Sequence, residues 1–316
     1  MHPISVRCTE RSKGNDVAAD QGTRGAPWQG PLCAGRIAVV TGGGGSIGSA
    51  CGRAFADHGA DVVIVDIAHD RVAAAVASVE SRGRQALGIV SDLTADGAVD
   101  DMVAQAVAAF GRSDILVNAL GEHLVLAGPF ESSTPEGWDR LYRVNLLHTM
   151  QACHAVLPGM RERKWGRIVN FSSVEGIRSM PHAAPYTAYK GAIDSFTKTL
   201  GVEFAGDNIR VNCVAVDKTR SYQVNFYDMP EEYERHVPIW IPAGRYGEGD
   251  DVAAVVLFLS TEMAAWVVGQ TIVADGGTLA AGGWYRTPVK WTNSPLLVQY
   301  FEDDPSINAA RPRGVQ

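Results

Sequence analysis

The chain has 316 residues, of which 46% are hydrophobic and 20% charged, and its formal net charge is −7. This composition provides for a large packed core and excludes global disorder, and the negative charge without a basic stripe argues against a nucleic-acid-binding surface. Apolar runs stay below the roughly 18 residues of a membrane span, and the first residues lack the apolar stretch of a secretory signal, so we expect neither.

Residues 1–34 are polar, interrupted by glycine and proline, and without periodicity, so we predict a flexible N-terminal arm. From residue 35 to about 281, short apolar runs alternate with helical patterns. The predicted strands are IAVV (37–40), DVVIVD (61–66), QALGIVSD (85–92), SDILVNAL (113–120), GRIVNFSS (166–173), NIRVNCVAV (208–216) and GQTIVADGG (269–277). Their continuous apolar character is typical of a buried parallel sheet. We predict a single-domain α/β fold, a Rossmann-type doubly wound parallel seven-stranded sheet with helices on both faces.

Two segments interrupt this alternation, and both are rich in aromatic residues. Residues 217–249 form an insertion before the last helix and contain Tyr222, Phe226, Tyr227, Tyr233 and Trp240. Residues 282–316 form a C-terminal tail that contains Trp284, Tyr285, Trp291, Tyr300 and Phe301. Such side chains suit an apolar, ring-bearing ligand or a subunit interface, and the sequence leaves both open. In a tetramer the tail could also reach a neighbouring pocket.

The five cysteines lie far apart and lack the spacing of metal ligands: Cys8, Cys33, Cys51, Cys153 and Cys213. Isolated cysteines in a chain of this length are typical of reduced thiols. We therefore predict that most of them are small core residues, and we expect a cytoplasmic location and no metal site.

The segment VVTGGGGSIGSA (39–50) joins the first predicted strand to the first helix. Glycines allow the sharp turn and the close approach of a pyrophosphate, and the helix N-terminus offers free N–H groups. Two alignments fit this segment. Gly43, Gly45 and Gly48 match GxGxxG, whereas Gly42, Ser46 and Gly48 match GxxxGxG with serine in the middle position.

Asp66 ends the second strand, about twenty residues after this turn. A carboxylate at this place can bind both ribose hydroxyls of NAD and would repel the 2′-phosphate of NADP. No basic residue follows Asp66 directly. We therefore predict NAD, with NADP less favoured; the alternative is that Asp66 only caps the end of its strand.

The segment PYTAYKGAIDSFTKTL (185–200) predicts a helix with two tyrosines close to one lysine. Positions i and i+4 share a helix face, whereas adjacent positions point about 100° apart. Tyr186 can therefore lie beside Lys190, while Tyr189 faces elsewhere. An ammonium group and a cationic nicotinamide would lower the pKa of a phenol, so Tyr186 is the candidate acid or base.

Several motifs in order resemble the classical short-chain dehydrogenase/reductase family, over residues 35 to about 281. They are TGGGGSIG (41–48), Asp66, SDL (91–93), VNALG (117–121), RVN (143–145), NFSS (170–173), YTAYK (186–190) and DGG (275–277). The resemblance implies that Ser173, Tyr186 and Lys190 form a catalytic triad, which Asn145 completes to a tetrad. Tyr186 would exchange the proton, Ser173 bind the substrate oxygen, Lys190 hold the nicotinamide ribose, and Asn145 support a water.

The same resemblance implies a set of cofactor-binding positions. They are Gly42, Ser46, Ile47, Gly48, Asp66, Ile67, Asp92, Leu93 and Asn118, together with Tyr186 and Lys190. The implied activity is an NAD(H)-dependent interconversion of a secondary alcohol and a ketone, with a bulky, hydroxysteroid-like or ring-bearing substrate. The resemblance also implies a homo-oligomer, either a tetramer or a dimer. The alternatives are a 3-oxoacyl-thioester reductase and a non-catalytic NAD-sensing or scaffold protein on the same fold.

Neighbouring residues have less certain roles. His123, Glu175 and His182 follow motif segments and are candidate substrate contacts. Ser172 points to the other side of its strand from Ser173 and is predicted to be structural. His148 and His154 are predicted to be helix-surface or satisfied core residues.

The sequence departs from the family pattern in three places. Ser46 replaces the middle glycine of the motif, and a serine at this position requires a negative φ. Ala119 and Leu120 stand in NALG where the family has NNAG. Val216-Asp217 replaces a proline–glycine pair in the loop that normally passes the nicotinamide, so Asp217 either changes the path of that loop or caps a turn.

Overall fold

The computed structural model describes residues 30–123, 126–222, 234, 236–283, 285–286 and 291–292. Most of the predicted N-terminal arm, the middle of the 217–249 insertion and most of the tail lie outside the described residues. The predicted roles of Phe226, Tyr227 and Tyr233 therefore also lie outside them.

The seven predicted strands form one parallel sheet, which confirms the predicted fold class. The strands are β1 Ile37–Thr41, β2 Asp61–Asp66, β3 Ala86–Val90, β4 Ile115–Asn118, β5 Gly166–Ser173, β6 Ile209–Val216 and β7 Thr271–Ala274. Their order is β3-β2-β1-β4-β5-β6-β7, and each neighbouring pair is parallel. The order reverses between β1 and β4, where ligands bind at the carboxyl ends of such sheets.

Ten α-helices are described around this sheet and in its connections. They are α1 Ser46–Asp57, α2 His69–Glu80, α3 Ala98–Phe110, α4 Pro135–Tyr142, α5 His148–Glu162, α6 Val174–Arg178, α7 Ala184–Phe204, α8 Val237–Trp240, α9 Gly249–Leu259 and α10 Thr278–Ala281. A short antiparallel pair, β8 Tyr285–Arg286 and β9 Trp291–Thr292, lies in the predicted tail.

The helical segment between β4 and β5 is divided into two parts, α4 and α5. Thr134 caps α4 by accepting a hydrogen bond from the N–H of Gly137 at 3.2 Å, and Pro135 occupies the first turn. A π-helical turn, Arg143–Leu147, then separates α4 from α5. Single π turns inside helices often occur at functional sites, and this one contains Asn145.

The core lies in two layers, one on each face of the sheet. Because side chains alternate along a strand, β1 sends Ala38 and Val40 to one layer and Ile37 and Val39 to the other. The described cysteines, Cys33, Cys51, Cys153 and Cys213, are buried free thiols, as predicted. In the described part of the chain, no helix is both long and apolar enough to cross a membrane. The same residues hold no group of three or more potential metal ligands from His, Cys, Asp and Glu.

Candidate active site

Tyr186 and Lys190 lie side by side one turn apart near the start of α7. The Nζ atom of Lys190 is 5.8 Å from the centroid of the Tyr186 ring. Tyr189 faces away, as predicted, and its ring lies 5.8 Å from that of Tyr142. Ser173 lies close enough to the phenol of Tyr186 to lower the pKa of that group, so the three residues of the predicted triad lie together.

Ser173 is held by the two strands whose carboxyl ends meet at the site. It ends β5 and caps α6, since its Oγ accepts the N–H of Glu175 at 3.1 Å. The same hydroxyl donates to the carbonyl of Val216, the last residue of β6, at 3.4 Å. With its proton directed at Val216, the serine oxygen can accept a hydrogen bond from the phenol.

Lys190 is 4% exposed, and its ammonium group donates to the carbonyl of Phe171 at 3.2 Å. Burial lowers the pKa of Lys190 from 10.5 to about 8, against the opposing effects of Cys213 and Asp194. The lysine therefore changes its charge in the range where the site would work. Ser172 has the predicted structural role, because its hydroxyl donates to the Lys190 carbonyl at 3.0 Å.

The environment of Tyr186 favours the neutral phenol. Burial raises the pKa of Tyr186, and the negative charges of Glu175 and Asp217 raise it further. The interaction with the Ser173 side chain lowers the pKa of Tyr186 and so acts in the opposite direction. His123 lies beside the phenol, with ring centroids 6.4 Å apart in an edge-on arrangement, as expected for a residue that faces the substrate.

Asn145 is fully buried in the π turn and fixes the loop after β4. Its Nδ2 donates to the carbonyls of Glu122 and Leu141 at 2.7 and 3.0 Å, and its Oδ1 accepts the N–H of Glu122 at 3.1 Å. Gly121 lies between this amide and the lysine. A Cβ on Gly121 would be 2.7 Å from Lys190 Nζ and 3.2 Å from Asn145 Oδ1.

The sequence did not identify Gly121 as a site residue, although it ends the VNALG motif. Its φ is not positive, so no turn requires a glycine there. The restriction comes from two side chains that are far away in sequence.

His148 and His154 occupy the two kinds of position that the sequence left open. His148 is fully buried, with Nδ1 3.2 Å from the Arg143 carbonyl and Nε2 3.2 Å from the Thr149 hydroxyl. Burial lowers the pKa of His148 to about 4, and the nearby Lys190 contributes to this shift, so the imidazole is neutral. His154 lies on the exposed surface of α5.

The glycine-rich turn has the shape that a dinucleotide needs. Gly42 has a φ of +63°, and a Cβ there would be 2.9 Å from the N of Leu120. A Cβ on Gly48 would be 2.2 Å from the carbonyl oxygen of Gly42, so α1 packs directly on the turn. Ser46 begins α1 and is not among the residues with positive φ, as its presence requires. These contacts favour the alignment of Gly42, Ser46 and Gly48, and they leave a cradle that side chains would fill.

Asp66 lies at the end of β2, beside this turn, with both carboxylate oxygens bonded. Oδ2 accepts the N–H of Gly44 at 3.2 Å, and Oδ1 accepts the N–H of Ala68 at 3.0 Å. Arg71 also binds Oδ1 at 2.9 Å. The sequence did not single out this arginine, since it lies five residues beyond the carboxylate. Its guanidinium also lies 5.3 Å from the ring centroid of Tyr222, in the insertion.

The remaining predicted cofactor positions fall at the same edge of the sheet, with different exposures. Ile47 is half-buried, Ile67 is exposed and Leu93 is buried. Asp92 accepts hydrogen bonds from the N–H and hydroxyl of Thr94 at 2.9 and 2.7 Å. These residues line the side of the sheet reversal on which β2 and β3 end.

Asn118 lies inside the protein at the end of β4. Its Nδ2 donates to Asn170 Oδ1 at 2.9 Å and lies 3.6 Å from Cys153 Sγ. Its own Oδ1 is buried without a hydrogen-bond partner among the described residues. The hydrogen bond to Asn170 links β4 to β5 in the centre of the sheet.

Asp217 binds an arginine, an arrangement that the sequence did not predict. Its Oδ2 accepts hydrogen bonds from Arg178 at 3.0 Å and from the Thr278 hydroxyl at 2.6 Å. Arg178 also binds Glu175. His182, the other candidate contact, is exposed with a φ of +65°, and its carbonyl accepts the N–H of Gly128 at 2.8 Å.

A family model described as enoyl-(acyl carrier protein) reductase matches residues 42–278, which is most of the chain. The chain belongs to the classical short-chain dehydrogenase/reductase family. Among curated relatives, the (2S)-[(R)-hydroxy(phenyl)methyl]succinyl-CoA dehydrogenase subunit BbsD of Thauera aromatica is 36% identical over 248 residues. The match covers 78% of this chain and 98% of that protein.

Solved structures of short-chain dehydrogenases/reductases share the fold. A levodione reductase matches with a TM-score of 0.73 and 30% identity, over 78% of this chain and 99% of that one. A 3-oxoacyl (acyl-carrier-protein) reductase from Agrobacterium tumefaciens C58, with NADP bound, has a TM-score of 0.72 and 29% identity. It covers 77% of this chain and 94% of its own. The chain is therefore an oxidoreductase of a family that uses a nicotinamide cofactor and acts on alcohols and ketones.

Proposed function

We propose that this protein is an NAD(H)-dependent oxidoreductase that interconverts a secondary alcohol and a ketone, with Tyr186 as the acid or base. The observation that carries the proposal is the phenol of Tyr186, which lies near Ser173 and one helical turn from the buried Lys190. A non-catalytic sensor would not need this arrangement at the carboxyl edge of the sheet.

When bound, the nicotinamide would accept or supply the hydride of the reaction. In alcohol oxidation, the ionised phenol of Tyr186 takes the hydroxyl proton, and in reduction the neutral phenol returns it. Ser173 binds the substrate oxygen and so orients it towards the phenol. Lys190 stabilises the phenolate by its charge when it is protonated, and it is placed to hold the ribose. Asn145 keeps the loop after β4 in place through its hydrogen bonds to Glu122.

The preference for NAD rests on Asp66, whose carboxylate borders the cradle formed by Gly42 and Gly48. A carboxylate there favours ribose hydroxyls and repels a 2′-phosphate. Two observations act against this preference: Arg71 binds Asp66, and the solved reductase from Agrobacterium tumefaciens holds NADP. Because Arg71 is neutralised by Asp66, we retain NAD as the preferred cofactor.

The proposed substrate is bulky and apolar. Apolar side chains are exposed on the segments after β4 and β5: Leu126, Ile177 and Met180 are 38, 47 and 37% exposed. The N–H of Gly128 bonds the His182 carbonyl, which joins the two loops that carry them. A ring-bearing alcohol or ketone would cover this surface.

A 3-oxoacyl thioester is the second candidate substrate, favoured by the likeness to the solved 3-oxoacyl reductase. A basic patch for a carrier-protein phosphate would support this candidate, and the sequence has little beyond Arg161, Arg163 and Lys164 to form one. They lie at the edge where the strands begin, opposite Tyr186, since Arg163 bonds the carbonyl of Ser113 just before β4. Arg161 and Lys164 pair with Asp207, which precedes β6. These residues therefore lie away from Tyr186 and do not support the thioester as the substrate.

We also infer a homo-oligomer, either a dimer or a tetramer, because large apolar side chains are exposed away from the site. Trp266 is 97% exposed, with Met263 and Val273 nearby in sequence at 39 and 38%. A cytoplasmic location stays a prediction.

Tyr186→Phe tests the proposed function. We expect turnover to fall by about three orders of magnitude while NAD binding is retained, because only the proton donor is removed. Tyr189→Phe, on the same helix but paired with Tyr142, is the matched control and should keep turnover. Steady-state reduction of NAD with a panel of secondary alcohols, together with cofactor titration, measures both. Full turnover in Tyr186→Phe would contradict the proposal, and absence of turnover in the wild type with every alcohol and ketone would favour a sensor.

A further inference from the structure

Arg178 lies between two carboxylates at the carboxyl edge of the sheet. Its Nη2 is 2.9 Å from Glu175 Oε1 and 3.0 Å from Asp217 Oδ2, and its Nε is 3.3 Å from Glu175 Oε2. Glu175 is on the same short helix, α6, whereas Asp217 follows β6. One guanidinium therefore joins two segments that are 39 residues apart in sequence.

Both carboxylates belong to residues that are next to the hydrogen bonds of Ser173. The N–H of Glu175 donates to Ser173 Oγ, and Ser173 donates to Val216, which precedes Asp217. The side chains of Glu175 and Asp217 are only 16 and 6% exposed, so solvent screens them weakly. Arg178, at 34%, is their cationic partner.

The charged and titratable groups around the Tyr186 phenol come from four parts of the chain. They are His123 after β4, Glu175 and Arg178 on α6, Lys190 on α7 and Asp217 after β6. The two carboxylates disfavour a phenolate, and their effect on the pKa of Tyr186 is upward. The charge that opposes them directly is the guanidinium that binds both.

We propose that Arg178 is a positioning residue, which neutralises Glu175 and Asp217 and holds them in place beside Ser173 and Tyr186. It acts through these carboxylates and not by contact with the reacting atoms. This inference rests on the proposed function of Tyr186. It also gives a role to Asp217, which replaces the family's glycine: the carboxylate anchors the arginine that balances Glu175.

The test is the pH dependence of kcat/KM for alcohol oxidation, which reports the ionisation of Tyr186 in the free enzyme. In Arg178→Met, two unbalanced carboxylates face the phenol. We therefore expect the rising limb of the plot of kcat/KM against pH to move to higher pH by about one unit. In Glu175→Gln and Asp217→Asn, one negative charge is lost, so the limb should move to lower pH. Arg178→Lys keeps the charge and should shift the limb less than Arg178→Met.

Arg143→Met is the matched control. Arg143 also binds two carboxylates, Asp96 and Asp139 at 2.9 and 3.0 Å, and its side chain is 36% exposed. It should leave the position of the limb unchanged.

Opposite shifts in the arginine and carboxylate variants would support the inference. Unshifted limbs in variants that still turn over, or an equal shift in Arg143→Met, would overturn it. If Arg178→Met does not fold, Glu175→Gln and Asp217→Asn decide: without an acid shift the inference fails. Full turnover in Tyr186→Phe would instead remove the proposed function itself, so the two failures are distinguishable.

Discussion

The ammonium group of Lys190 lies 5.8 Å from the ring centroid of Tyr186, and it is buried with a carbonyl as its hydrogen-bond partner. A buried cation next to a phenol is useful for proton transfer but unfavourable for folding. The pKa of Lys190 falls to about 8 for this reason. This arrangement predicts a measurable conflict between activity and stability.

Lys190→Met should abolish turnover and stabilise the fold at neutral pH. The lysine has a pKa of 10.5 when unfolded and about 8 when folded, so between these values the unfolded chain binds more protons. The free energy of unfolding of the wild type therefore rises with pH in this window. Below about pH 8 the full cost of burying the charged lysine is present. From about pH 7 to about pH 9.5 the free energy of unfolding of the wild type should increase by about 2 kcal/mol relative to that of Lys190→Met. Urea unfolding at both pH values measures this gain.

The control for this prediction is Lys198→Met, which changes an exposed lysine on the same helix. Its stability relative to the wild type should not depend on pH. If the difference in free energy of unfolding between the wild type and Lys190→Met is the same at both pH values, Lys190 is not buried in its charged form.

Gly121→Ala should reduce turnover by at least about tenfold with little effect on stability. The added methyl group would lie 2.7 Å from Lys190 Nζ and 3.2 Å from Asn145 Oδ1, so the ammonium must move. A displaced catalytic group commonly costs one to two orders of magnitude in rate. Gly128→Ala, later in the same loop and with nothing within 4 Å of its Cβ, is the control for kinetics and thermal unfolding. Equal activity of the two variants would contradict the described packing.

Asp66→Ala should reverse or reduce the preference for NAD. The variant removes the carboxylate that binds ribose hydroxyls and releases Arg71, which could then bind a 2′-phosphate. We expect the ratio of kcat/KM for NAD to that for NADP to fall by at least about tenfold. Asp61→Ala is the control, because Asp61 also pairs with an arginine, Arg84, but at the opposite end of β2. An unchanged ratio would mean that Asp66 only caps its strand.

Trp266→Arg should weaken subunit association. Trp266 is 97% exposed, and exposed aromatic residues of this kind commonly mark protein interfaces. We expect a smaller particle in size-exclusion chromatography with light scattering. Gln105→Arg, at an exposed polar position on α3, is the control and should leave the assembly unchanged. A monomeric wild type would remove the proposal of a homo-oligomer.

The fold could be predicted because its signals are local. Apolar runs such as DVVIVD and IAVV end at glycine or aspartate, and each is separated from the next by a helical pattern. The positions of Tyr186, Tyr189 and Lys190 on one helix follow from its period, and their contacts agree with it. The negative φ required at Ser46 also follows from local sterics.

The features that the sequence did not predict depend on contacts between distant segments. Arg178 meets Asp217 across 39 positions, and Gly121 is restricted by two side chains from different helical segments. The π turn at Asn145 is equally hidden, because the helical pattern runs through it without a break. Arg71 has an ordinary place on α2, and only the bend after β2 brings it to Asp66.

The ion pairs of Arg178, which join α6 to the segment after β6, have a consequence for how related sequences can diverge. A relative with glycine at position 217 lacks the carboxylate that binds Arg178, and an arginine at 178 would then pair with Glu175 alone. Substitutions at positions 175, 178 and 217 should therefore occur together in related sequences, and each single substitution should be poorly tolerated.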